Sequence, residues 1–265
     1  MRVAIAQMDV EQGEFEKNLA KADKLAEKAA RGGGELVVFP EMFLSGFNYK
    51  RNLAYLNECG NSAEDRLCEI AKSRGIALCG SLAHMLKPDM PPSNRFVFAS
   101  AEGKILAHYD KIHLFSVFNE DKYVSAGNSI VTADTPFGRA GFAICYDLRF
   151  PDLFVEMAKR DAKFVIISAA FPHPRSEHWR ILARARAIEN QCFVIAVNRS
   201  GIEKLPADNI KYFGLSAVID PWGGIVAECA EDASDEIAFA DINLDEVDNI
   251  RAKIPALADR RDDVY

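Results

Sequence analysis

Gly141-Phe142-Ala143-Ile144-Cys145-Tyr146-Asp147-Leu148-Arg149-Phe150-Pro151 reads as a buried strand, a short turn and the start of a helix. The apolar run ends at Cys145. Pro151, with its fixed φ, suits the first turn of a helix that the pattern carries to Arg160. Such a strand–turn–helix junction presents the cysteine above a sheet, close to free backbone N–H groups. Those groups and the helix dipole favour a thiolate. A free cysteine is more often an inert buried hydrophobe, so other residues must single this one out.

Working outward, strand and helix patterns alternate along the chain. Strands are predicted at 3–8, 36–39, 76–85, 95–100, 105–109, 129–135, 140–146, 164–170, 192–197, 213–219 and 236–242. Phe15, Leu19, Ala22, Ala26 and Ala29 recur at helical spacing and stop at Gly32-Gly33-Gly34. Further helices are predicted after Ser62-Ala63-Glu64-Asp65, which resembles a capping box with Asp in place of Glu, and over 151–160, 177–190 and 244–253. Residues 112–128 read as a loop. Ala101-Glu102-Gly103-Lys104 and Pro136-Phe137-Gly138 mark two hairpins. Apolar strands alternating with helices predict stacked α and β layers, and the hairpins predict mixed sheets. There is no repeat, low-complexity segment or linker, so residues 1–265 read as a single domain.

The 265 residues carry a net charge of −7. That balance argues against nucleic acid as the main partner. No apolar run approaches a bilayer span, and the start lacks the pattern of a secretory leader; together these predict a cytoplasmic protein without membrane contact. The six cysteines form no C-x-x-C pair, which offers neither a zinc nor a redox motif. His173 and His178 lack a carboxylate at a recognisable metal spacing, so no metal is expected.

Two further segments carry chemistry. Leu36-Val37-Val38-Phe39-Pro40-Glu41 is a strand that delivers a carboxylate to its C-terminal end, where apolar walls would raise its pKa and suit it to general-base work. In Tyr109-Asp110-Lys111-Ile112-His113-Leu114, Lys111 could offer a fixed positive charge to a developing oxyanion. Taken singly, a strand-end Glu or Lys is ordinarily a solvated residue.

Phe39-Pro40-Glu41, Asp110–Phe115 and Cys145–Pro151, in this order, resemble the three catalytic blocks of the nitrilase, or carbon–nitrogen hydrolase, superfamily. His178-Trp179, Arg184–Asn190 and Asp220-Pro221-Trp222-Gly223 extend the similarity over nearly the whole chain. The resemblance implies an α/β fold built as a four-layer α–β–β–α sandwich with two mixed sheets. It implies that Glu41, Lys111 and Cys145 meet as a catalytic triad, joined by Glu120 from the following loop. A thioester acyl-enzyme, no metal or organic cofactor, and a homodimer or larger homo-oligomer are also implied. The backbone N–H of Tyr146 would help hold the oxyanion.

Within the superfamily, the blocks are closest to omega-amidases and deaminated-glutathione amidases. The matching arginine of N-carbamoyl amino acid hydrolases holds a substrate carboxylate, so Arg149 is expected to bind one here. The alternative is a local bridge from Arg149 to Asp147 or Asp152. Tyr49, Phe171 and Trp179 are aromatic candidates for the pocket wall. The expected substrate is a small amide that carries a carboxylate. An N-carbamoyl amide hydrolase or a nitrilase on the same triad, a non-catalytic binding protein on the same fold, and a Cys–His hydrolase are the alternatives. Residues 116–125 form a shorter loop than omega-amidases have, which bears on the substrate and not on the triad.

Overall fold

Alternation along single strands explains the layering. In the computed structural model, β1 (Arg2–Gln7) turns Val3 and Ile5 to one core and Ala4 and Ala6 to another. The period-2 geometry of a strand makes this inevitable when both faces are covered. The same split recurs in β2 (Leu36–Val38) and in β4 (Ser93–Ala99), where Phe96 and Phe98 face one core and Val97 and Ala99 the other.

The structure describes residues 1–204 and 209–264. One six-stranded sheet has the order β14-β1-β2-β3-β4-β5, adding β3 (Ala77–His84), β5 (Ile105–Asp110) and β14 (Glu236–Asp241). The three strands β1, β2 and β3 are parallel, and the rest pair antiparallel. The second has the order β13-β12-β9-β8-β7-β6. Its parallel centre is β7 (Gly138–Ile144), β8 (Phe164–Ala169) and β9 (Phe193–Asn198). Antiparallel β6 (Thr132–Thr135), β12 (Ala217–Ile219) and β13 (Ile225–Glu228) complete it. A two-stranded ribbon, β10 (Ser200–Glu203) with β11 (Ile210–Phe213), stands apart.

The two sheets pack face to face, with the Phe142 ring 5.0 Å from Phe96 and 6.2 Å from Phe98. Helices α1 (Phe15–Arg31) and α3 (Ser62–Arg74) cover the outer face of the first sheet through Leu19, Leu25, Ala26, Leu67 and Ala71. Helices α5 (Pro151–Lys159) and α6 (Ser176–Asn190) cover the second through Phe154, Met157, Trp179 and Ala183. The remaining α-helices are α2 (Tyr49–Cys59), α4 (Glu120–Tyr123) and α7 (Asp245–Lys253). This is the α–β–β–α sandwich, in one domain.

Several local expectations change. The strand predicted at 213–219 is broken, because Gly214 and Leu215 both take positive φ (72° and 56°) and turn the chain between β11 and β12. Ser62 lies inside α3 and forms no capping box. Asn61 precedes it, but its side chain is spent on Met85, accepting from the N–H at 2.8 Å and donating to the carbonyl at 3.1 Å. The predicted 112–128 loop contains α4, and α2 follows a segment whose helix is not marked by a long apolar stripe.

Candidate active site

Three strand ends converge. Glu41 follows β2, Lys111 follows β5 and Cys145 follows β7. The first and third come from different sheets, and the seam between them is hydrogen-bonded. Ser168 Oγ of β8 donates to the Phe39 carbonyl at 2.9 Å, and the Glu41 N–H to the Ala169 carbonyl at 3.3 Å. The Ala170 N–H donates to Glu41 Oε2 at 3.0 Å. The C-terminal end of β8 therefore docks the carboxylate loop of one sheet beside the nucleophile loop of the other.

Lys111 is the hub. Its Nζ lies 2.7 Å from Glu41 Oε1 and 3.0 and 2.8 Å from the two oxygens of Glu120. The side chains of all three are at most 2% exposed. Asn94 Nδ2, on β4, donates to Glu41 Oε1 at 2.8 Å and to Glu120 Oε1 at 3.3 Å. The Phe115 N–H donates to Glu120 Oε2 at 2.7 Å. The Cys145 thiol lies beside the Glu41 carboxylate and the Ala170 N–H.

Two buried carboxylates thus share one ammonium, and burial in low dielectric disfavours each charge. Burial, reinforced by the negative charge of Glu120, pushes the Glu41 carboxyl above its ordinary range, with Lys111 opposing. Burial would lower Lys111, but Glu120 and Glu41 outweigh it and hold the ammonium well above its usual value. Burial and the charge of Glu41 also raise the Cys145 thiol well above the ordinary value, against the pull of Lys111. This reverses the expected preference for a thiolate. The helix-like turn is short, and a desolvated sulfur beside a carboxylate stays protonated until that carboxylate removes the proton.

Cys145 itself has φ 46°, a left-handed conformation that costs a non-glycine residue about 1–3 kcal/mol. A tight 3-10 turn, Cys145–Arg149, follows. Asp147, fully buried, fixes that turn: Oδ2 accepts from the Ile144 N–H at 2.9 Å and the Tyr109 hydroxyl at 2.7 Å. Its Oδ1 accepts from the His113 N–H at 3.1 Å and lies 2.7 Å from His113 Nδ1. From α6, Arg186 donates to the Leu148 carbonyl through Nε at 3.1 Å and Nη2 at 2.7 Å. The alternative local bridge between Arg149 and Asp147 does not form, since Asp147 is occupied. Arg149 lies over Phe171 (5.2 Å to the ring centroid), with Nη2 3.3 Å from His178 Nδ1.

These groups line a pocket with about 410 Å³ of empty space, part of it open to solvent. Glu41, Lys111, Glu120 and Cys145 form its floor; Tyr49, Tyr146, Arg149 and Phe171 are on its walls with Phe47, Phe115, Phe118, Pro172 and Arg175. Trp179 is the exception. It is 1% exposed and outside the pocket, because α6 turns it inward: its ring backs Phe171 at 5.6 Å and Nε1 donates to the Leu215 carbonyl at 2.8 Å. Asn94 and Arg175 were not singled out by sequence reasoning, and Asp147 was named only as an alternative partner for Arg149. Asp147 lies inside a motif already quoted, whereas Asn94 and Arg175 have no local signal and reach the site through the fold alone.

A buried thiol, an adjacent carboxylate and an ammonium facing a pocket are the groups that nucleophilic hydrolysis requires, here set on a four-layer sandwich. A carbon–nitrogen hydrolase family model matches residues 2–252. The chain is 35% identical to 2-oxoglutaramate amidase of Bacillus subtilis over 99% of this chain and 98% of that one. It is 31% identical to an omega-amidase of Homo sapiens over 100% and 96%. An amidase mutant from Nesterenkonia sp. AN1, solved with the acetamide moiety of fluoroacetamide added covalently at the active site cysteine, superposes with a TM-score of 0.86 at 26% identity, covering 100% of this chain and 95% of that one. The chain belongs to the carbon–nitrogen hydrolase family, and its activity is that of an amidase-type carbon–nitrogen hydrolase.

Proposed function

We propose that the chain removes ammonia from the terminal amide of a small carboxylate-bearing acid, with Cys145 as nucleophile. Glu41 takes the thiol proton, and the sulfur attacks the amide carbon. Lys111 and the Tyr146 N–H stabilise the tetrahedral oxyanion. Glu41 passes the proton to the nitrogen, the C–N bond breaks, and ammonia leaves a thioester on Cys145. Glu41 then takes a proton from water, the resulting hydroxide attacks the thioester, and the acid departs as the proton returns to sulfur. One carboxylate serves as base, acid and base again. The contact of Glu41 with both Lys111 and the thiol supports this sequence. Glu120 positions Lys111.

The observation that carries the substrate class is the presence of two guanidiniums, Arg149 and Arg175, in the same pocket as the thiol. A planar fork suits a carboxylate, and the 2-oxoglutaramate amidase among the relatives supports the same choice. The test is ammonia release by wild type, Cys145→Ala and Arg149→Lys on 2-oxoglutaramate, neutral aliphatic amides, N-carbamoyl amino acids and nitriles. Wild type should favour the acidic amide, Cys145→Ala should be inert, and Arg149→Lys should raise KM about tenfold for the acidic amide alone. An equal rise for neutral amides argues against the carboxylate clamp.

We also propose a homo-oligomer. Ile181 and Ile188, seven residues apart on α6, are exposed, and Gly223, next to the exposed Trp222, lies against Ile188; such apolar exposure suits association, and the molar mass by light scattering tests this. Among the described residues no helix is long and apolar enough to cross a membrane. The six unpaired cysteines support a reducing compartment such as the cytoplasm.

A further inference from the structure

One buried polar atom of the pocket has no use in the chemistry above. Tyr49 opens α2, after a loop that starts at Glu41, and Asn48 caps that helix by accepting from the Arg51 N–H at 3.2 Å. The cap fixes where the tyrosine ring enters the pocket. The ring then stacks on Tyr123 of α4, with centroids 5.0 Å apart and planes 14° off parallel, and meets Phe47 edge-on at 6.3 Å. Tyr123 belongs to the same short helix as Glu120. The stack therefore ties together the two loops that carry the carboxylates and holds the phenol rigidly.

The Tyr49 hydroxyl is buried and has no hydrogen-bond partner among the described residues. The carboxylate oxygens nearby are already engaged, and the Asn52 and Asn94 amide oxygens that line the adjoining cavity do not meet the hydroxyl. Glu41 Oε1 takes Lys111 and Asn94, and Oε2 takes the Ala170 N–H. Glu120 Oε1 takes Lys111 and Asn94, and Oε2 takes Lys111 and the Phe115 N–H. Burial, with the charge of Glu120 beside it, holds the phenol well above its ordinary value, so it remains a donor at every working pH. An unpaired hydroxyl in such a place is unfavourable, and a ligand atom that accepts from it removes that penalty.

We propose that Tyr49 is a specificity-determining residue whose hydroxyl donates to an oxygen on the acyl chain of the substrate, other than the amide oxygen and the carboxylate. The amide oxygen belongs to Lys111 and the Tyr146 N–H, and the carboxylate to the arginines. The remaining acceptor is an oxo or hydroxy oxygen between them. The substrate class narrows accordingly from acidic amides to acidic amides with an oxygenated chain. This rests on the carboxylate-bearing reading above.

The experiment compares wild type with Tyr49→Phe, which keeps the ring and its stack on Tyr123 and removes one oxygen. The two substrates are 2-oxoglutaramate and glutaramate, which differ only in the 2-oxo oxygen. One neutral hydrogen bond corresponds to about tenfold in binding. The variant should lose about tenfold in kcat/KM on 2-oxoglutaramate, mainly through KM, and less than about twofold on glutaramate. Equal losses on both would make Tyr49 a general support of the site, and no loss on either would make it an inert wall; each result overturns the proposal. If wild type turns over neither acidic amide, the carboxylate reading fails separately. Lactamide against propionamide, which differ by one hydroxyl, then puts the same question to Tyr49. Thermal melts of both proteins show whether any loss reflects the fold.

Discussion

The β4–β5 hairpin carries two charge networks on alternate residues, one fully buried and one partly exposed, and they are built to opposite ends. Asn94 and Lys111 turn toward Glu41 and Glu120. Their chain neighbours, Ser93, Arg95 and Asp110, turn the other way. Arg95 grips Asp110 at 2.9 and 2.8 Å, and its Nη1 lies 2.7 Å from His84 Nε2. His84 Nδ1 lies 2.5 Å from Glu64, which also meets His108 at 3.0 Å. In this second network Asp110 has the Arg95 guanidinium to itself, and Glu64 lies between two histidines. Burial works against ionisation of Glu64, but hydrogen bonds from His108 and His84 prevail and bring it down to about 2. In the first network two carboxylates compete for one ammonium, and Glu41 is raised. Buried charge alone therefore does not mark a reactive site. Two buried carboxylates sharing one ammonium beside an open pocket do, because the raised one is left ready to exchange a proton.

The largest effect that could break this contrast is on turnover. Lys111→Ala should cut kcat by at least about a thousandfold, as loss of an oxyanion donor and of the charge that holds Glu41, while circular dichroism shows a folded protein. Arg95→Met should do the reverse, since it strands Asp110 half-buried: a stability loss of about 2–4 kcal/mol in urea unfolding, with most kcat retained in the folded fraction. If both variants lose activity and stability alike, the two networks are not separable.

A smaller effect follows from the pKa directions, which have opposite signs. Glu64 and Asp110 are lowered in the fold. Their stabilisation is complete above the ordinary carboxylate values and is lost as pH falls toward about 2. Glu41 is raised, so its ionisation opposes folding as pH climbs above the ordinary value toward the raised one, and activity appears over that same interval. The acid limb of kcat/KM should accordingly lie above pH 4.5, and the melting temperature should fall below it. Glu64→Gln should flatten the fall in melting temperature, worth about 1–2 kcal/mol, without moving the activity limb. A shift of that limb in Glu64→Gln would couple the two networks.

The order of strands and helices was legible because alternation and helical spacing are local properties of the chain. So were Glu41, Lys111 and Cys145 as candidates, each at the end of an apolar strand within a recognisable block. The raised thiol was not legible. The turn after Cys145 promised donors to the sulfur, but the carboxylate and the burial that outweigh them come from the other sheet. Trp179 could not be placed either: its aromatic character suits a wall or a core, and the pitch of α6 sends it behind Phe171. Asn94 and Arg175 carry no signal because a single polar residue has a role only through what the fold sets opposite it.

Beyond what the family resemblance implied, then, the sequence by itself determined stacked α and β layers, mixed sheets and the chemical identity of the three strand-end groups. Each depends on periodicity or on residues adjacent in the chain. Only the tertiary structure decided that Lys111 serves two carboxylates at once, that Asp147 braces the nucleophile turn in place of pairing with Arg149, and that the Tyr49 hydroxyl is left unpaired in the pocket. These depend on the seam between two sheets, where residues far apart in sequence are brought within hydrogen-bond reach and water is excluded, so that distance and desolvation set the chemistry.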